Sequence, residues 1–232
     1  MVDSEKLPRS DQVDVDVISK IFAKTTTSYK YLFFLSLLEI LRQRDFEVVA
    51  SISFQELIVE MLAYAWYPYT FFHLSFGTQD KIIQKLEALR LEKIEPRLQS
   101  GKINQALLRK TIARQDLKDS VNHLKRYVPF RLIASFLDEE LKREKVSQGT
   151  GNDLEKAIPA IAEKYFNSKK PLYKFDATDY GYCESVLIHP HWGTYFKMHY
   201  RMIQGWVAWE WAEYMQKRNP ETHHIFSKLF MP

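Results

Sequence analysis

Apolar residues fill almost every position over 31–41 of "TTTSYKYLFFLSLLEILRQR", so this segment predicts a helix buried on most sides, capped by Thr27 or Ser28. A second helix opens at Ser53, which forms a capping box with Glu56. Its apolar positions 54, 57, 58, 61, 62 and 65 follow a helical period. Pro68 is expected to end or kink it, and Gly77 with Thr78 to break and recap the chain before the amphipathic "QDKIIQKLEALRLEKI". The intervening "MLAYAWYPYTFFHLSFGTQDKI" is then a corner between helices. Its rings at Tyr64, Trp66, Tyr67, Tyr69, Phe71, Phe72, His73 and Phe76 seal a core or stack on bases; packing is the simpler reading.

Two further helical patterns follow, "KINQALLRKTIARQ" and "DLKDSVNHLKRYV". In the second, Leu117, Val121, Leu124 and Val128 form an apolar stripe that directs Lys118, Asn122, Lys125 and Arg126 outward. Pro129 restarts the chain as "FRLIASFLDEELKRE", and the polar "KVSQGTGN" reads as a linker. This divides the chain into a helical subdomain at 1–146, a linker at 147–152 and a second subdomain at 153–232. Within the second, the aromatic and β-branched enrichment over 172–188 predicts a short β-hairpin. The helices "HWGTYFKMHYRMIQ" and "WVAWEWAEYMQKR" complete it, with Trp206 and Trp209 expected to pack inward together. The fold class is mainly α, a multi-helix bundle with that small hairpin; seven glycines and nine prolines in 232 residues are too few for a turn-rich β protein. The tail "ETHHIFSKLFMP" is apolar where a free end would be polar, so it is expected to dock on the preceding helix or on a second chain.

Charge changes the picture more than composition does. Over 97–131, nine basic residues face two acidic ones, a net +7 in a chain whose formal total is only +4. Lysines and arginines gathered on one surface read as contacts to nucleic-acid phosphates. The candidate residues are Arg109, Lys110, Arg114, Lys118, Asn122, Lys125, Arg126 and Arg131, with duplex DNA as the expected partner. Asn122 alone carries no sequence code. The acidic start "MVDSEKLPRSDQVDVDV" lacks a secretion signal, no stretch is long enough to span a membrane, and one cysteine fits a reducing cytosol, so a cytoplasmic protein is expected.

Candidate chemistry is thin. His189, His191 and His199 with Cys183 could supply metal ligands, but Pro190 and the aromatic setting favour capping and packing. Glu221 and His224 make a lone ExxH, and Glu140 with Lys142 a lone ExK on a helix; neither has partners in the sequence. No phosphate-binding glycine loop or nucleophile elbow is present. No catalytic residue and no cofactor are assigned to the chain.

Four stretches carry a resemblance: "SYKYLFFLSLLEIL", "MLAYAWYPYTFFHLSFGTQDKI", "LKRYVPFRLIASFL" and "WVAWEWAEYMQKRNP". In order and spacing they resemble the N-terminal, non-catalytic region of bacterial HNH-endonuclease-domain proteins. The resemblance implies a helical region that presents DNA to an HNH domain following a stretch like "NPETHHIFSKLFMP", in a system of defence against foreign DNA. Any divalent metal would belong to that downstream domain, which is expected to lie beyond this chain. The alternative is a protein-interaction scaffold, its aromatic surfaces meeting a partner subunit or a second copy in a homodimer without nucleic-acid contact.

Overall fold

In the computed structural model, which describes residues 7–23, 25–89, 91, 104–146 and 153–230, every side chain from 31 to 41 is buried. They lie on helix α2 (Tyr29–Gln43), which packs between α3 (Phe54–Phe72) and α10 (Pro190–Arg218). Phe34 meets Phe22, Phe196 and Trp206 edge-on, so the centre of the core is aromatic. Around this layer lie the short α1 (Val15–Ser19), α4 (Ile82–Ala88), α5 (Gln105–Ala113), α6 (Lys118–Leu124), α7 (Val128–Ala134), α8 (Asp138–Arg143), α9 (Asp153–Lys169) and α11 (Ile225–Phe230). Since 66% of the residues are helical and the sheet has three short strands, the class is mainly α, as the periodicity predicts.

The sheet joins distant parts of the chain. The two strands expected near 172–188 form as β2 (Tyr173–Phe175) and β3 (Ser185–Ile188), antiparallel, with Tyr173 opposite Ile188. A third, β1 (Ile52–Ser53), pairs with β3 from the other side, Ile52 opposite Val186, giving the order β1-β3-β2. Two residues leave no alternation to detect, so this strand has no signature of its own. The linker at 147–152 lies outside the described residues. Elements on both sides of it contribute to one apolar core, and α7 packs on α9.

Several boundaries move. Pro68 neither ends nor breaks α3, which runs through it to Phe72 and is closed by His73 at φ 49°. The capping box at Ser53 and Glu56 is present at the other end. The corner therefore spans 73–81, where Gly77 (φ +106°) has Arg218 Nε 3.1 Å and Tyr214 Oη 3.3 Å from where a Cβ would sit. The N-cap of α4 is Lys81 rather than Thr78, without a capping side chain; before it, Asp80 is buried and accepts hydrogen bonds from the Ile82 N–H and from Ser28 N–H and Oγ. It thereby ties the start of α4 to the start of α2. The segment after Pro129 is not one helix but α7, a 3-10 turn at Ser135–Leu137, and α8.

At the C-terminal end, α10 is a single span through Gly205, with non-helical geometry at His199 rather than a break at the glycine. Trp206 and Trp211 point inward, whereas Trp209 is 53% exposed and donates its indole N–H to Glu213. Positions 206 and 209 are only about 60° apart around a helix, but the buried face runs from 206 the other way through 207, 208, 211, 212, 214 and 215, which leaves 209 outside. The apolar tail folds into α11 and docks on α10 and α3, with Ile225 and Leu229 buried and Phe230 edge-on to Trp211.

Candidate nucleic-acid interface

Asn104 caps α5 by accepting from the Leu107 N–H, and Leu108 and Ile112 turn inward. Lys110 and Arg114 are exposed as a consequence. Arg109 faces the other way. Its Nε donates to both oxygens of Glu60, at 2.6 and 2.7 Å, and its Nη2 lies 3.5 Å from Glu39. Both carboxylates are buried. Burial raises the pKa of Glu60 despite Arg109; burial also pushes Glu39 up, but hydrogen bonds from Arg42 and Gln43, with the charges of Arg42 and Arg109, hold it below the usual range. The charge of Arg109 thus compensates internal acids, and it is corrected out of the DNA-facing set.

On α6 the stripe behaves largely as expected, with Leu117 and Leu124 buried and Lys118, Asn122 and His123 exposed. The helix is shorter than the 116–128 pattern, ending at Leu124, so residues 125–127 form a turn. Lys125 consequently does not face outward freely. It is half-buried, its ammonium 5.9 Å from the Phe54 ring centroid and 3.5 Å from the Cys183 carbonyl. Arg126 is exposed over the Tyr127 ring. Arg131 also lies over Tyr127, and its Nε donates at 2.6 Å to Glu155, whose side chain is 1% exposed. Arg131 likewise serves an internal carboxylate first.

The structure adds cations from an earlier helix. Ile82 and Leu86 anchor α4 to the core, and Lys85 Nζ bridges to Asp119 on α6 at 2.6 Å. Lys81 and Lys85 approach His123 together with Arg126. Burial and then these three cations lower the imidazole pKa, Asp119 opposing them. Lys81, Lys85 and His123 escape sequence reading because the lysines sit about 40 residues away, on a helix whose charges look like an ordinary solvated face. Among the described residues no ion pair engages Lys110, Arg114, Lys118 or Arg126, so with Lys81 these are the free cations of the surface.

The other candidates separate. His189 caps α10, its Nδ1 accepting from the His191 N–H at 3.2 Å, and its ring rests on Phe166. Burial, then His191 and Lys170, push its pKa down to about 4. Cys183 is buried, its thiol pushed up to about 12 chiefly by burial, which suppresses the thiolate. Glu140 is buried against Lys169 at 3.0 Å while Lys142 pairs with Asp138 outside, so the ExK residues diverge. No group of three or more His, Cys, Asp or Glu side chains suited to a metal occurs among the described residues. Of the rings in the corner segment, Trp66 and Phe76 are core, and Phe71 is exposed beside Trp66 and Tyr67. No helix among the described residues is long and apolar enough to cross a membrane. Compared with known protein families, characterised proteins and solved structures, the chain matches none.

Proposed function

We propose that this chain binds the phosphate backbone of duplex DNA through the corner formed by α4, α5 and α6, as the targeting region of an HNH-type nuclease system. The observation that carries the reading is the gathering of Lys81 and Lys85 from the start of α4 and Arg126 from the turn after α6 around His123, beside exposed Lys118. Lys110 and Arg114 on α5 extend the set. Asp119 offsets Lys85, and the remaining like charges are held together here at an electrostatic cost that a polyanion would relieve. The four stretches that resemble the non-catalytic part of HNH proteins support the assignment of the polyanion as DNA. Lysines and arginines on such a surface grip phosphates without reading bases, so the binding is sequence-independent.

Anisotropy titration of a labelled duplex at several salt concentrations tests the proposal. About six neutralised phosphates give a log-log salt slope near −5. Reversing Lys85, Lys118 and Arg126 to glutamate flattens the slope and weakens binding at least about tenfold at low salt, whereas reversing Lys142 on α8 leaves it unchanged. Binding indifferent to the triple reversal, or absent at low salt, would refute the reading.

A further inference from the structure

The strands of the small sheet alternate. Tyr173, Phe175, Val186 and Ile188 are buried in the core, whereas Lys174 and its cross-strand partner Leu187 turn to the other face and are half-buried. On that face lies an open groove of about 920 Å³, within the range of ligand-binding clefts. Val49 and Ser51, just before β1, form one side, and the loop between β2 and β3 forms another. Val49 is 92% exposed and Tyr182 76%, the two most exposed large apolar side chains among the described residues. Far apart in the chain, both line this groove.

Its charge is of one sign. Three carboxylates, Glu163, Asp176 and Asp179, face a single lysine, which leaves a formal charge of −2. The lysine is already engaged: Lys174 Nζ is 3.0 Å from Glu163 and 5.0 Å from the ring centroid of Phe166. Arg44 approaches the rim at the Ser51 carbonyl, but its charge is paired with Glu56. Asp176 and Asp179 each use one oxygen, accepting from the N–H groups of Glu184 and Gly181, and no ion pair among the described residues engages either. Exposed Glu184 adds a further negative charge beside Asp176.

Among the described residues these acids do not gather as metal ligands. Carboxylates set apart around an apolar floor suit an organic cation, its charged head between Asp176 and Asp179 and its stem on Leu187 or the Tyr182 ring. The backbone extends the match. Strand β1 is an edge, paired only with β3, and the N–H groups of Val49 and Ser51 make no hydrogen bond among the described residues. An open edge with unpaired donors takes an extended main chain. We infer that this groove docks an extended segment of a partner protein, one that presents a lysine or arginine flanked by apolar residues. The inference is independent of the DNA reading, because an anionic groove repels phosphate.

Selection of a displayed library of random seven-residue peptides on the immobilised full chain is expected to enrich sequences with such a basic residue. Synthetic copies of the enriched peptides are expected to bind with a Kd of about 1–100 µM in anisotropy titrations. In nuclear magnetic resonance spectra they should shift amides of residues 49–51 and 174–187. Asp176→Asn with Asp179→Asn keeps both capping acceptors while removing the charge; it weakens binding at least about tenfold and leaves the melting temperature at the parent value. Tyr182→Ser, at an exposed position, weakens binding as well. Glu210→Gln with Glu213→Gln removes the same charge from α10 and changes nothing. A selection without basic enrichment, or peptides that bind the double asparagine variant as they bind the parent, would overturn the inference. So would spermidine displacing the peptides at equal concentration, which would make the occupant a free polyamine. Self-association of the chain that the asparagine variant loses would make it a second copy instead.

Discussion

Arg109 and Lys118 illustrate how little a residue's identity says about where its charge goes. Both lie in the same basic window, nine residues apart, and both read as outward-facing cations. The register of α5 turns Arg109 onto two buried carboxylates that belong to α2 and α3, a fact that resides in the packing of three helices and not in the local pattern. Arg109→Ala therefore leaves Glu60 buried without its cation, while Glu39 keeps Arg42, and is expected to cost about 3–5 kcal/mol, the penalty for orphaning a buried charge. Glu60, already raised by burial, rises further. Lys118→Ala, at an exposed position without an ion pair, is expected to change stability by no more than about 0.5 kcal/mol. Urea denaturation of the two variants checks the contrast; equal small effects would return Arg109 to the surface set.

Among the elements, those with long periodic faces or explicit caps were legible: α2, the capped start of α3, the two strands near 172–188 and the docked tail. Those decided by tertiary contacts were not. Proline in a helix removes one N–H, yet α3 continues through Pro68, and beyond it Tyr69 and Phe72 pack partly buried against the core. The division of α10 shows the same thing, since Gly205 looks like a boundary and is not one. The N-cap of this helix makes an element-scale prediction. His189 is buried and neutral, its pKa lowered to about 4 by burial, His191 and Lys170, whereas the unfolded imidazole titrates near 6.5. Between those values the unfolded chain binds the extra proton, so stability rises with pH there. The contribution is complete above the unfolded pKa and is lost as pH falls towards about 4, on the order of 2–4 kcal/mol. His189→Asn keeps a capping acceptor without the titration, and is expected to flatten this part of the stability profile in thermal melts at pH 7 and 4.5. A variant with the parent's full pH dependence would place the titrating group elsewhere.

For the whole molecule the question is whether the polar linker at 147–152 separates two units. Composition supports a boundary there, since glycine, serine and asparagine interrupt the helical pattern. Packing argues for interdependence. Strand β3 has β1 on one side and β2 on the other, drawn from opposite sides of the linker. The central α2 lies against α10, with Phe34 meeting Phe196 and Trp206, and Tyr173 of β2 donates its hydroxyl proton to the Pro129 carbonyl at the start of α7. Produced alone, residues 153–232 would expose Phe196, Trp206 and Trp211 and leave one edge of β3 unpaired; residues 1–146 would expose α2 along a whole side. Such areas exceed what a small helical fragment can leave open and remain natively packed. Each fragment alone is therefore expected to bind a hydrophobic dye and to lack near-ultraviolet dichroism. Co-expressed, the two are expected to purify together and regain the tryptophan spectrum of the intact chain. A cooperative thermal transition in isolated 153–232, with its tryptophans already shielded from quencher, would instead show that the linker joins two independent domains.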